Sequence, residues 1–231
     1  MLLGIVANMS FSQEVKKEIG NIEGSVEAYK AELYAITKLK ANIIISFRAF
    51  KIEFITTSNA LARRIIFLLK KVYDVEVELL TKEQVKLDRK KQFFIVVSNK
   101  AKEILLDLDM LDENLYLKEE ISPKYQNYED SLLRGFFLAK GSINDPLKLN
   151  YHLEIVCNKI PEAEYMQRVL QKYNIFANIL HRPKGYVVYV KKSEHIGDFL
   201  KMIGSINALF YFENQRIKKD LNNVVNRVLN C

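Results

Sequence analysis

The chain of 231 residues resembles itself at an offset of about 100 residues, and this internal duplication constrains the fold more than any other feature. Three separate elements keep nearly the same offset: 100, 101 and 100 residues. The matched pairs are Lys40 with Lys140, Glu53 with Glu154, and Tyr73 with Tyr173. Because chance rarely aligns three separate elements in this way, we expect two copies of one structural unit.

The apolar spacing predicts the same order of elements in both copies. In the first copy, helices at 26–40 and 59–73 flank a β-branched stretch, 41–57, which indicates one or two strands. Strands at 75–80 and 92–97 and a helix at 101–111 follow. The second copy shows helices at 130–140, 162–173 and 193–203 and strands at 151–157, 176–182 and 185–191. We therefore expect an α+β fold of two α-β-β-α-β-β-α units with antiparallel sheets.

Composition excludes several other classes of protein. With 49% apolar residues, 8 Gly and 4 Pro, the chain can bury a core and is not a disordered or fibrous sequence. Cys157 and Cys231 show no disulfide or zinc spacing, and no apolar run approaches the roughly 18 residues that span a bilayer. We expect a soluble cytoplasmic protein without a membrane partner. Residues 1–8 have no assigned role, so either Met1 or Met9 could be the start.

Charge is unevenly distributed along the chain. The segment from Glu103 to Asp130 contains nine acidic residues and two lysines, which gives it a charge of −7. Because the total charge is +7, the rest of the chain carries +14. A basic body with one acidic segment is typical of a protein that meets a polyanion on one side. The alternative is that these charges only keep the protein soluble.

Small residues mark one face of the first long helix in each copy. Ala31 and Ala35 are four residues apart, as are Gly135 and Ala139, so two helix backbones could approach closely there. A glycine inside a helix costs about 1 kcal/mol relative to alanine, and close packing would compensate. A tolerated glycine in a buried helix is the alternative. The spacing predicts a monomer whose two copies meet along these helices.

The helix ends resemble the motif of the LAGLIDADG homing endonucleases, in "LRGFFLAKGS" (133–142) and, more weakly, in "LYAITKLKAN" (33–42). Within that superfamily the chain is similar to the WhiA family of bacterial sporulation and cell-division regulators. The segments that carry this second resemblance are "MSFSQEVKKEI" (9–19), 132–155, "KGYVVYVK" (184–191) and 199–231.

The resemblance implies duplicated LAGLIDADG-like units that form a pseudo-twofold monomer with a saddle-shaped antiparallel sheet. We divide the chain into an N-terminal extension and helix (1–24), a first repeat (25–110), an acidic linker (111–128), a second repeat (129–205) and a C-terminal helix (206–231). The family's helix-turn-helix domain is expected after this point and is not in the sequence, which is either a fragment or a naturally shorter protein. Binding to double-stranded DNA is therefore expected to be weak or non-specific.

The residues argue against nuclease activity. A LAGLIDADG nuclease needs an acid at the eighth motif position of both copies, because paired carboxylates hold the divalent ions that activate water. These positions are Lys40 and Lys140, and the sixth positions, Lys38 and Leu138, supply no substitute. We expect no enzyme activity, no metal and no cofactor. The two lysines either complement the helix dipoles or contact phosphate, and the sequence does not decide between them.

Basic residues elsewhere predict phosphate contacts. Several follow strand ends, and Lys51 lies with Glu53 on the sheet face opposite the core, as His152 lies with Glu154. The aromatic residues Phe93, Phe94, Tyr186 and Tyr189 are expected in the core. The candidate DNA-binding residues are Lys40, Lys140, Lys51, Lys90, Lys91, Arg182, Lys184, Lys191 and Lys192.

These observations predict a non-catalytic, DNA-associated module of a WhiA-like transcription regulator of cell division and sporulation. We expect it at the nucleoid in the cytoplasm, with other transcription factors as further partners. The alternative is a protein-interaction scaffold that makes no direct DNA contact.

Overall fold

The computed structural model describes residues 9–46, 49–83, 91–148 and 150–229, with side chains as far as residue 225. Lys90, one of the predicted DNA contacts, lies outside these residues. Within the described part, helices and strands follow the same order in both copies. The bounds in the first half are α1 (Phe11–Ile19), α2 (Val26–Lys40), β1 (Ala41–Ile45), β2 (Phe50–Thr56), α3 (Asn59–Tyr73), β3 (Glu78–Glu83), β4 (Lys91–Val97) and α4 (Ala101–Asp107).

The second half repeats this order and adds a long final helix. Its bounds are α5 (Glu129–Lys140), β5 (Gly141–Ile143), β6 (Leu153–Cys157), α6 (Ile160–Lys172), β7 (Asn178–Arg182), β8 (Gly185–Val190), α7 (Ser193–Met202) and α8 (Ile206–Leu229). A short 3-10 turn at Pro123–Tyr125 precedes α5.

Two four-stranded antiparallel sheets have identical topology, β1-β2-β4-β3 and β5-β6-β8-β7. The register matches as well, since Asn42 pairs with Glu53 in one sheet and Ser142 pairs with Glu154 in the other. In each sheet one face packs on helices, as buried Ile52 and Phe54 show. The predicted duplication and the α+β fold class are confirmed.

Helices α2 and α5 pack side by side where the small residues predict it. A Cβ atom added to Gly135 would lie 2.4 Å from the Glu32 carbonyl oxygen and 2.8 Å from the Ala35 Cβ. Only glycine allows this backbone approach. The contact joins the two repeats into one core, and the mid-helix glycine is explained by packing.

A buried ion cluster lies beside this contact. Glu32 of α2 accepts two hydrogen bonds of 2.7 Å from Arg64 of α3, and its carboxylate lies 3.8 Å from the Arg134 guanidinium of α5. Arg134 also donates to the Ile203 carbonyl oxygen. The cluster links three helices from both repeats in a region that is otherwise apolar.

The acidic segment folds against the first repeat. Asp107 accepts hydrogen bonds from Lys30 and Tyr73, while Lys38 donates to the carbonyl oxygens of Lys118 and Glu120. These contacts anchor the segment to α2 and α3, so part of its negative charge is neutralised by local lysines.

The predicted and observed elements differ most in three places. Strand β5 has only three residues and was not predicted separately. Strand β3 begins three residues later than predicted, at Glu78. Helix α4 ends at Asp107 because the chain turns at Asp109, which has a positive φ of 57°, and Leu111 then forms a bridge with Leu117.

Helix α8 is fixed at its start and exposed further along. The Glu18 carboxylate accepts hydrogen bonds from the Asn207 and Ala208 backbone amides and from the Ser205 hydroxyl. Phe212 is buried, whereas Leu221 and Val224 are exposed. Across the described ranges, no helix combines the length and the apolar character needed to cross a bilayer.

Candidate nucleic-acid interface

The outer face of each sheet, defined as the face opposite the helices, is close to neutral. On the first sheet, Lys51 and Lys82 are balanced by Glu53 and Glu78, all of which point outward by strand register. On the second sheet, the outward Arg182 forms an ion pair of 3.3 Å with Glu154. Within the described strands, these faces supply little net positive charge toward a polyanion.

Apolar side chains form a matching row across both outer faces. Leu80 and Leu180, at the sheet edges, are 57% and 47% exposed. The rows are Ile55, Phe94 and Leu80 in the first sheet and Val156, Val187 and Leu180 in the second. The predicted core position of the aromatic residues is therefore half correct: Phe93 and Tyr186 pack against the core, whereas Phe94 and Tyr189 point outward.

The motif ends bring Lys40 and Lys140 together at the boundary between the repeats. Both side chains are partly buried, and burial followed by the charge of Lys140 lowers the pKa of Lys40. Burial likewise lowers the pKa of Lys140, against an opposing influence from Glu162. The positions that hold metal-binding acids in the nucleases therefore hold two ammonium groups that repel each other.

Asn158, which follows β6, connects the two motif ends. Its Oδ1 accepts a hydrogen bond from the Lys140 ammonium, and its Nδ2 donates to the Leu39 carbonyl oxygen at 3.2 Å. The Asn158 backbone amide in turn donates to Glu162 at 2.7 Å. This amide side chain thereby satisfies a carbonyl in the last turn of α2 and orients the ammonium at the end of α5.

A polar pocket of about 440 Å³ opens at these ends. Among the described residues, the charged ones that line it are Lys40 and Lys140, and none is a carboxylate. The remaining polar side chains are Asn42, Thr56, Thr57, Gln92 and Asn158. Within the part of the chain that the structure describes, Lys40 makes no hydrogen bond or ion pair. We call this cavity the motif-end pocket.

A third lysine lies near the motif-end pocket without lining it. Lys16 of α1 places its ammonium 5.6 Å from the centroid of the Phe137 ring. Burial and then the charge of Lys40 lower the pKa of Lys16 to about 8. Three lysines, Lys16, Lys40 and Lys140, therefore contribute positive charge around the motif ends.

The other predicted DNA contacts fall into separate groups. Arg182 ends β7, Lys184 lies in the turn before β8, and Lys91 begins β4, all at the sheet ends nearest the motif-end pocket. Lys191 and Lys192 follow β8 and therefore lie at the opposite end of the second sheet. Lys51 is the second residue of β2 and lies on its outer face, opposite Ile44.

Sequence reasoning missed three residues at the motif ends: Lys16, Gln92 and Asn158. Asn158 carried a usable signal, because it stands 101 residues after Thr57, close to the repeat offset, and both line the pocket. Gln92 and Lys16 had no such signal, since strand pairing and helix packing bring them close. In the described ranges, no group of three or more His, Cys, Asp or Glu side chains is placed to hold a metal ion.

Comparisons with known protein families cover most of the chain. A family model described as the WhiA N-terminal LAGLIDADG-like domain matches residues 26–111, and one described as the WhiA LAGLIDADG-like domain matches residues 129–222. The probable cell division protein WhiA of Bacillus subtilis (strain 168) is 38% identical over 226 residues, which cover 96% of this chain and 72% of that protein. The protein of the same name from Staphylococcus aureus (strain JH9) is 39% identical over 225 residues, with the same coverage.

Solved structures show the same fold. Full-length DUF199/WhiA from Thermatoga maritima matches with a TM-score of 0.73 and 24% identity, covering 95% of this chain and 72% of that one. The homing endonuclease I-WcaI, bound to its DNA recognition sequence, matches with a TM-score of 0.56 and 17% identity over 87% of this chain and 91% of its own. I-DmoI in complex with DNA and Mn matches with a TM-score of 0.52 and 16% identity over 78% of this chain and 98% of its own.

Proposed function

The chain belongs to the WhiA family, and on that premise we propose that it is a non-catalytic, DNA-associated module of a transcription regulator of cell division and sporulation. The proposal includes a place at the nucleoid, a single copy as the working unit, and other transcription factors as further partners.

One observation carries the proposal: a two-repeat LAGLIDADG fold has lysines where a nuclease needs acids. Lys40 and Lys140 end the paired helices α2 and α5, and neither can ligate Mg²⁺ or Mn²⁺ as an ammonium ion. Cations at these positions favour phosphate and disfavour a metal ion. The fold is thus compatible with binding duplex DNA while lacking the groups that hydrolyse it.

The distribution of charge specifies the kind of DNA binding. Because the outer faces are almost neutral, phosphate contacts must come from the motif ends and from exposed cations at the sheet ends, such as Lys91, Lys184 and Lys191. Contacts of this kind are independent of sequence and weaken steeply with salt. We therefore expect weak binding with little preference among duplexes.

Charge-removal variants test this proposal. A triple variant, Lys91→Ala, Lys184→Ala and Lys191→Ala, should weaken binding to unrelated duplexes equally and flatten the salt dependence, as measured by fluorescence anisotropy. The matched control removes three exposed lysines from the helical layer: Lys70→Ala, Lys71→Ala and Lys201→Ala. If both triple variants weaken binding to the same extent, net charge alone is responsible and the proposed interface is wrong.

The scaffold alternative is decided in the same experiment. Should the unaltered chain show no binding to any duplex at low salt, the apolar rows on the outer faces would become the better candidates for a contact surface, with protein as the partner.

A further inference from the structure

We propose that the motif-end pocket is a phosphate-binding site, in which one phosphate group lies between the ammonium groups of Lys40 and Lys140. If the bound phosphate belongs to a DNA backbone, this inference rests on the proposed function. If it belongs to a free phosphate compound, the inference does not depend on DNA binding.

The first argument is electrostatic. Both ammonium groups are partly buried, the charge of Lys140 lowers the pKa of Lys40, and no carboxylate is among the described residues that line their pocket. Holding like charges together out of bulk water is unfavourable unless an anion neutralises them. The carboxylate of Glu162 raises the pKa of Lys140, but it accepts hydrogen bonds from the backbone amides of Asn158 and Lys159. A bound dianion would satisfy both lysines at once.

The second argument removes the helix-dipole explanation for these lysines. If they served only to complement the helix ends, their ammonium groups would be expected at the last carbonyls. The carbonyl of Leu39 instead accepts from the neutral Asn158 amide, and Lys140 donates to the same side chain. Lys40 makes no polar contact among the described residues, so its ammonium remains available to a ligand.

The third argument concerns size and neutral donors. A volume of about 440 Å³ lies within the range of small-ligand sites, roughly 300–1,000 Å³, and exceeds what a single phosphate requires. Gln92 and Thr57 line the same cavity and can donate hydrogen bonds to phosphate oxygens. The geometry therefore suits a phosphate with part of its attached group, from a DNA backbone or from a soluble phosphate compound.

The test uses two probes and three variants. Inorganic pyrophosphate is titrated by calorimetry and a mixed-sequence 20-base-pair duplex by anisotropy, each with the unaltered chain, Lys40→Met, Lys140→Met and the control Lys71→Met, an exposed lysine of α3. Methionine keeps the length of the side chain and removes the buried charge, so both pocket variants should fold, which circular dichroism verifies.

We expect Lys40→Met and Lys140→Met each to weaken the binding of at least one probe by about tenfold or more, while Lys71→Met leaves the binding of both probes unchanged. Loss of pyrophosphate binding identifies a free phosphate compound as a ligand, and loss of duplex binding alone identifies the DNA backbone. If pyrophosphate binds and duplex DNA does not, the phosphate-binding site is supported and the proposed DNA association is contradicted.

The inference is overturned if neither pocket variant changes the binding of either probe, or if Lys71→Met weakens binding as much as they do. Should duplex binding persist unchanged in both pocket variants, and pyrophosphate not bind at all, the proposed function survives without this site.

Discussion

Lys16 illustrates at the residue scale how a buried charge makes stability depend on pH. Its pKa falls from 10.5 to about 8 in the folded protein, because burial and Lys40 both disfavour the charged form. The folded state then binds fewer protons than the unfolded state between about pH 8 and 10.5, so this lysine makes the protein more stable as pH rises through that window. At neutral pH its charge is a net cost.

Replacing Lys16 by methionine should therefore raise the free energy of unfolding by about 1–3 kcal/mol at pH 7. The gain should shrink as pH rises from 8 toward 10.5, because Lys16 of the unaltered protein loses its unfavourable charge in that range. Urea denaturation at several pH values measures the free energy of unfolding, with Lys17→Met, at an exposed neighbouring position, as the control. A gain that does not vary with pH would show that the charge of Lys16 is not its cause.

Glu32 shows the opposite case, a buried charge that is fully paired. Its carboxylate holds Arg64 in a two-bond contact and lies 3.8 Å from Arg134. We expect Glu32→Gln to lower the free energy of unfolding by about 3–5 kcal/mol, because it leaves the buried guanidinium groups uncompensated. The control Glu53→Gln, on the outer face, should change it by less than about 1 kcal/mol. Equal effects of the two substitutions in denaturation curves would contradict this assignment.

At the scale of elements, the contact between α2 and α5 makes a specific prediction about glycine. Alanine normally stabilises a helix interior by about 1 kcal/mol over glycine, but at position 135 its Cβ would meet the Glu32 carbonyl oxygen at 2.4 Å. Gly135→Ala should therefore destabilise the protein by about 2 kcal/mol or more. Thermal unfolding measures the change.

Gly197, also inside a helix, is the matched control. An alanine there meets the end of the flexible Glu213 side chain, 2.6 Å away, which can move aside. Gly197→Ala should be close to neutral in thermal unfolding. A Gly135→Ala protein that is as stable as Gly197→Ala would mean that the two repeats do not approach as closely as the structure shows.

Element boundaries were predictable where local chemistry sets them. Helices α2 and α3 match their predicted ranges, and in the structure the side chains of Ser25 and Ser58 cap their first turns. Strand β5 was not separately predictable, since pairing with β6 defines it and three residues carry no periodicity. Helix α4 ends early because the chain turns at Asp109, whose positive φ of 57° the apolar spacing of the sequence does not indicate.

At the scale of the whole molecule, the duplication predicts that Lys40 and Lys140 meet, because equivalent helix ends are adjacent when the helices pair. The same reasoning could not supply Gln92, which approaches through strand pairing, or Arg64 and Arg134, which reach Glu32 from 32 and 102 residues away in the chain. Local patterns fix which face of an element is buried; they do not identify its long-range polar partners.

The replacement of the motif acids predicts the absence of nuclease activity. Incubation with supercoiled DNA and Mg²⁺ or Mn²⁺ should produce no nicking above background, because two lysines occupy the metal positions. Asp145 serves as the control residue: it accepts a hydrogen bond of 2.8 Å from the Leu147 amide and shapes a turn. Cleavage that Asp145→Ala abolishes would locate a catalytic site that the motif ends do not contain.

The most direct measurement of DNA association is a salt titration of binding between the chain and a mixed-sequence duplex. With about three to six phosphate contacts, log K should fall linearly with log salt with a slope of about −3 to −5, and unrelated duplexes should give the same slope. No measurable binding at low salt, or binding that salt leaves unchanged, would contradict a phosphate-contacting role for this protein.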